Sequence, residues 1–381
     1  MRFNCVAAAL LPVAAIAQVF PVPEGDYKVQ WINEELVDHS RVDPFNATHQ
    51  RRMMISRFTP VPNKECITTC RTPYMTSNVA KIEDDILTEY LGDIGWPHGA
   101  LGKLEVEMCC EVKKGHGHHN RGRKAPTLLF GTGLNTTRLF YTATAQHLAA
   151  LGYEVVVMDH PYETDVVEFP DGQIIFGGHI GRDPNNTAEL QRGLDIRARD
   201  TSFVLDALNI CRTVYIGQSF GGAAAATAMA NETRIAAGVN LDGALWGRAV
   251  RAGVPRPFLT LGSVNHNSSS PDEPSWGVFF DAMDARQPGV WYKELSLEDS
   301  VHGSYYDQSL IGDLTGLRDE GGELAAFFGK VTGERVMEVL RAYLGAFVEF
   351  AQLGGEEGRL LAGESDEFPD VSFLRSYHKG Q

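Results

Sequence analysis

The sequence predicts an α/β protein built on a doubly wound, mostly parallel sheet with an antiparallel N-terminal edge, and three observations carry this. From Ala125 onward, short apolar runs alternate with helix-length segments, the βαβ rhythm of a parallel sheet. Ahead of that, residues 27–32 and 53–58 alternate apolar and polar side chains with period two, as half-exposed antiparallel strands do. The third is Gly217-Gln218-Ser219-Phe220-Gly221, set between a β-branched run from Thr213 and an alanine-rich stretch ending at Met229. That context is strand, sharp turn, helix.

Taken in order, the chain opens with Arg2, an apolar run and Ala15-Ile16-Ala17, which reads as a secretory leader over residues 1–17 with cleavage before Gln18. The run is too short to cross a bilayer, and no later segment supplies about twenty uninterrupted apolar residues. Residues 18–381 are expected to form one domain: N-terminal strands and loops over 18–124, a parallel core over 125–353 and an acidic, loop-like tail over 354–381. A formal net charge of -15 argues against nucleic acid and against electrostatic docking on anionic membranes. A lipid or small ester remains open as substrate, with at most transient contact with lipid surfaces and no stable protein partner.

Cys5 falls in the leader, leaving Cys66, Cys70, Cys109, Cys110 and Cys211. The first four could form two bridges whose pairing the sequence leaves open, and Cys211, just before a strand, reads as a buried apolar residue. Zinc is the rival, but CxxxC plus an adjacent pair is poor spacing for a tetrahedral site. Sequons at Asn46, Asn135, Asn185, Asn231 and Asn267 agree with a secreted glycoprotein. Residues 79–91 read as a helix. His116, His118 and His119, spaced by glycine on a basic stretch, read as an exposed loop rather than a metal site. No metal and no cofactor are expected.

The parallel core reads as strands at residues 127–130, 153–159, 213–217, 235–241, 257–262 and 290–297, with helices at 136–151, 188–208 and after Ser219. Residues 334–353 add an amphipathic helix, with Val336, Val339, Leu340, Tyr343, Leu344 and Phe347 on one face. A GxSxG between strand and helix is the nucleophile elbow of α/β hydrolases, so Ser219 is the expected nucleophile. In such a sheet the site lies beyond the carboxyl ends of the strands, in chain order Ser, acid, His. His302, in Val301-His302-Gly303, follows the last strand and is the expected base; His266 is the rival. For the acid, Asp242 ends the strand after the elbow strand, while Asp272 and Glu273 follow the next one. The oxyanion hole needs two amides: Phe220, after the serine, and Leu134, in the glycine-rich turn Gly131-Thr132-Gly133. Leu245 and Trp246, near the acid, are expected pocket walls.

GQSFGG, LDGALWG, SVHGSYYD and FGTGLN before a helix together resemble the secreted platelet-activating-factor acetylhydrolase family over about residues 125–310. The resemblance implies an α/β-hydrolase fold, calcium-independent release of short or oxidised sn-2 acyl groups from phospholipids, and Asp242 as the acid. A broad carboxylesterase or cutinase-like polyesterase with the same triad is the second reading. A non-catalytic secreted binding protein on this fold is the third.

Overall fold

The computed structural model describes residues 17–113, 125–183, 186–271 and 273–377. The expected leader, except for Ala17, lies outside the described residues. So do His116, His118, His119, Asn185 and Asp272.

Among the described residues, nine strands form the main sheet, in the order Val371–Ser376, Tyr292–Leu297, Phe258–Ser263, Ile235–Leu241, Thr213–Gln218, Thr127–Gly131, Glu154–Met158, Gln50–Pro62, Tyr27–Val42. The run from Tyr292–Leu297 to Glu154–Met158 is parallel throughout. The N-terminal pair is antiparallel, as its alternating pattern predicts, and joins the core through Glu154–Met158. Parallel strands are buried on both faces, and here successive residues serve opposite cores. Leu128, Phe130, Val214 and Ile216 pack into one apolar cluster, while Leu129 and Tyr215 pack into the other. The helix Gly333–Ala351 buries Val336, Val339, Leu340, Tyr343, Leu344 and Phe347 in the first cluster.

Two expectations change. The tail is not merely loop: it forms a helix, Gly358–Ala362, and a strand, Val371–Ser376, that closes the sheet antiparallel to Tyr292–Leu297. Its acidic composition hides a short alternating run in which Val371 is buried and Ser372 exposed. Cys211 is exposed rather than buried, because it precedes the strand Thr213–Gln218 instead of entering it. Cys66 pairs with Cys109 and Cys70 with Cys110 across the two strands Cys66–Pro73 and Leu104–Val112. These strands form a second small sheet with Gln18–Val19, beside the helix Ser77–Leu91. Among the described residues, no helix is long and apolar enough to cross a membrane.

Candidate active site

At the carboxyl end of Thr213–Gln218 the chain turns sharply into the helix Phe220–Met229, and Ser219 sits in the turn at φ 56° and ψ -125°. Only small neighbours allow this: a Cβ on Gly217 would stand 2.0 Å from the Gly221 carbonyl carbon, and one on Gly221 would stand 2.2 Å from the Gly131 oxygen. The strained backbone turns the hydroxyl out of the strand.

Ser219 Oγ lies 2.9 Å from His302 Nε2, and His302 Nδ1 lies 2.7 Å from Asp242 Oδ2. An ionised carboxylate only accepts, so Nδ1 carries the proton of that bond and Nε2 is free to accept from the serine hydroxyl. The structure thus brings Ser219, His302 and Asp242 together in one hydrogen-bonded line. Asp242 ends its strand at φ 56° with its side chain buried. Burial opposes its ionisation, but hydrogen bonds from His266 and His302, and the charges of both rings, hold its pKa at about 2.

His266 does not take the place of His302. It stacks on Trp276, with Nδ1 3.3 Å from the other oxygen of Asp242 and Nε2 3.5 Å from Glu273. Oδ1 also accepts from the Ser263 amide at 2.6 Å. Glu273 therefore lies against the second histidine and not the first. Burial disfavours charge on His266, but the nearby carboxylates of Asp242 and Glu273 outweigh it and push its pKa up to about 9. A folded-state pKa above the ordinary histidine value of 6.5 means a stabilisation complete below pH 6.5 and lost as pH rises through about 9. We expect Tm to fall across that window and the slope to flatten in His266→Gln. Parallel Tm curves for the two proteins would show that the interaction is absent.

The turn after Thr127–Gly131 faces Ser219. The Gly133 amide donates to Tyr141 Oη at 2.8 Å, and Leu134, the expected donor alongside Phe220, lines the same cavity as Ser219. Two side-chain assemblies that sequence reasoning missed fix this geometry. Tyr141 Oη donates to Gln218 Oε1 at 2.8 Å, and Gln218 Nε2 donates to the His302 carbonyl at 3.2 Å, tying the oxyanion turn, elbow and histidine loop together. On the other side, buried Arg197 donates to the carbonyls of Thr132 at 2.5 Å and Gly133 at 3.0 Å. It pairs with Glu163 and lies 4.8 Å from the Phe220 ring centre. Arg197 thus touches both sides of the expected oxyanion hole.

Ser219 and His302 open into a cavity of 680 Å³ whose other walls include Leu134, Phe140, Tyr306 and Phe328. Its far wall comes from the helix Ser77–Leu91, through Glu83, Ile86, Leu87 and Tyr90. Asn135 also lines it, with Oδ1 buried and without a hydrogen-bond partner among the described residues. Leu245 and Trp246 are elsewhere. They line a separate surface cavity with Arg248, Arg251 and Arg286, because the chain leaves the site after Gly243, whose carbonyl is held by Asn240 and Trp276. Proximity in sequence to Asp242 was a poor guide. Among the described residues, no cluster of three or more His, Cys, Asp or Glu side chains is arranged to hold a metal.

Fold and site define an ester hydrolase of the α/β-hydrolase fold. A ferulic acid esterase from Streptomyces cinnamoneus shares that fold at TM-score 0.74, with 24% identity, over 94% of this chain and 100% of that one. The probable 1-alkyl-2-acetylglycerophosphocholine esterase of Arthroderma benhamiae is 38% identical over 97% of each chain. The platelet-activating factor acetylhydrolase of Cavia porcellus is 24% identical over 69% of this chain and 65% of its own. Residues 84–168 match the family described as platelet-activating factor acetylhydrolase, isoform II. The chain belongs to the platelet-activating-factor acetylhydrolase family, as its motifs suggest.

Proposed function

We propose that this protein is a serine esterase that releases short or oxidised sn-2 acyl groups from choline phospholipids, without calcium. The observation that carries the mechanism is the line from Ser219 Oγ through His302 to Asp242, opening into a largely apolar cavity. His302 takes the serine proton as Ser219 attacks the ester carbonyl, and the amides of Leu134 and Phe220 receive the oxyanion. The same imidazole returns the proton to the departing lysolipid oxygen. Water, activated by His302, then frees the acid from the acyl-enzyme. The substrate class rests on the relatives' names and on this cavity. Two disulfides suit an oxidising compartment and support secretion.

The test is kcat/KM for an acetyl sn-2 phospholipid, its long-chain counterpart, a p-nitrophenyl ester and a polyester film, each with and without EDTA. We expect the acetyl lipid to exceed the long-chain one by about 10- to 200-fold, the range that fit alone supplies, with EDTA having no effect. Turnover of the simple ester and film with none on the acetyl phospholipid would overturn the lipid reading.

A further inference from the structure

The cavity holds two carboxyl groups that the mechanism above does not use. Glu83 projects from the buried stripe of the helix Ser77–Leu91, and Asp165 stands just before the strand Val166–Glu168. Glu83 is 2% exposed and its Oε1 has no hydrogen-bond partner among the described residues. Neighbouring acids are accounted for otherwise. Asp84 accepts from Trp96 Nε1 at 2.6 Å and from the Leu101 amide at 3.2 Å, and Glu163 pairs with Arg197. Among the described residues, no lysine or arginine lines the cavity. Burial, and then the charges of Asp165, Asp159 and Asp84, raise the Glu83 pKa well above the ordinary carboxyl range. Burial and Glu163 push Asp165 up to about 7. A buried carboxyl without a partner is costly, and one facing a ligand cavity is where a ligand's charge can be used.

The other walls specify which cation. Tyr90, Trp96, Tyr306 and Phe327 line the same cavity as the two carboxyls. Tyr90 and Phe327 have ring centres 6.4 Å apart. A primary ammonium needs three acceptors and holds its water tightly. A quaternary ammonium donates no hydrogen bond, spreads its charge over methyl groups, and is held by ring faces with a carboxylate behind them.

We propose that Glu83 and Asp165, with Tyr90, Trp96, Tyr306 and Phe327, seat a quaternary ammonium head group while the ester of the same molecule lies at Ser219. This rests on the esterase reading above and adds the residues that select the head group. Because the seat and Ser219 share one cavity, an occupant of the seat also obstructs a small ester.

The experiment follows inhibition of p-nitrophenyl acetate hydrolysis by choline and by its uncharged carbon isostere, 3,3-dimethylbutan-1-ol, in the wild-type protein, Glu83→Gln, Asp165→Asn and Tyr90→Leu. Choline should inhibit the wild type at least about tenfold better than the isostere, a preference of the size that charge and ring faces supply, and each variant should shrink that preference severalfold. The ratio is internal to each protein, so changes in basal turnover cancel. Tyr90 is 74% exposed, so its variant keeps the test available if a buried carboxyl proves necessary for folding. Equal inhibition by both compounds in the wild type, or an unchanged preference in folded variants, overturns the proposal. If acetyl phospholipid is not cleaved but choline is still preferred, the substrate reading fails while the seat stands.

Discussion

Ser219→Ala and His302→Ala should each lower kcat/KM for ester hydrolysis by at least about a thousandfold, and the double variant should be little worse than either. Both effects follow from one line of hydrogen bonds. Without Oγ there is no atom to form the acyl-enzyme, and without the imidazole the hydroxyl keeps its proton. The two act as a unit, so their losses do not add. Folding should survive both changes. Ser219 contributes strain rather than packing, at φ 56°, and His302 has 57% of its side chain exposed, so neither truncation leaves a closed core cavity. Circular dichroism and Tm establish that the variants are folded, and initial rates on an acetyl ester then decide. A folded variant with near-parental turnover would remove the residue from the mechanism.

Much of this architecture was legible because the signals are local. Gly217 and Gly221 announce a turn that tolerates no Cβ, and strands such as residues 213–218, apolar at their centre, are buried throughout because both faces are covered. Chain order and strand ends pointed to His302, whereas for the acid they left Asp242 beside Asp272 and Glu273, and the family resemblance was needed to favour Asp242. What the sequence concealed is which distant polar groups meet. Arg197 occupies the apolar stripe of its helix with Leu190, Leu194, Thr201 and Val204, and Glu83 does the same beside Val79 and Ala80. A charge on a buried stripe is a visible signal that a partner or ligand is required. Its identity is not visible, because Thr132, Gly133 and Glu163 lie far away in sequence. The helix Ser77–Leu91 was likewise legible as a helix, yet nothing local shows that it walls the cavity. Leu245 and Trp246 fail for the opposite reason: sequence adjacency to Asp242 does not imply a shared cavity once the chain turns at Gly243.

Asp242→Asn should cost on the order of ten-thousandfold in kcat, about 5 kcal/mol of barrier, while leaving the fold intact. The size follows from how many donors converge on this carboxylate. The Ser263 amide at 2.6 Å and His266 Nδ1 at 3.3 Å both point at Oδ1, and His302 Nδ1 at 2.7 Å points at Oδ2. A carboxylate satisfies all three, whereas an amide has one accepting end. With two donors on one side, the asparagine turns its oxygen to Ser263 and His266 and presents its NH2 to His302. The imidazole must then accept at Nδ1 and carry its proton on Nε2, the tautomer that cannot take the serine proton. His266 thus makes the loss steeper by fixing which way the amide turns. Glu273→Gln leaves the tautomer of His302 untouched and should change kcat only a few-fold, and Asp272→Asn should cost less still. Measuring kcat for the three variants on one acetyl ester decides the assignment. A severe loss in Asp272→Asn or Glu273→Gln beside a mild one in Asp242→Asn would move the acid to the loop after Phe258–Ser263.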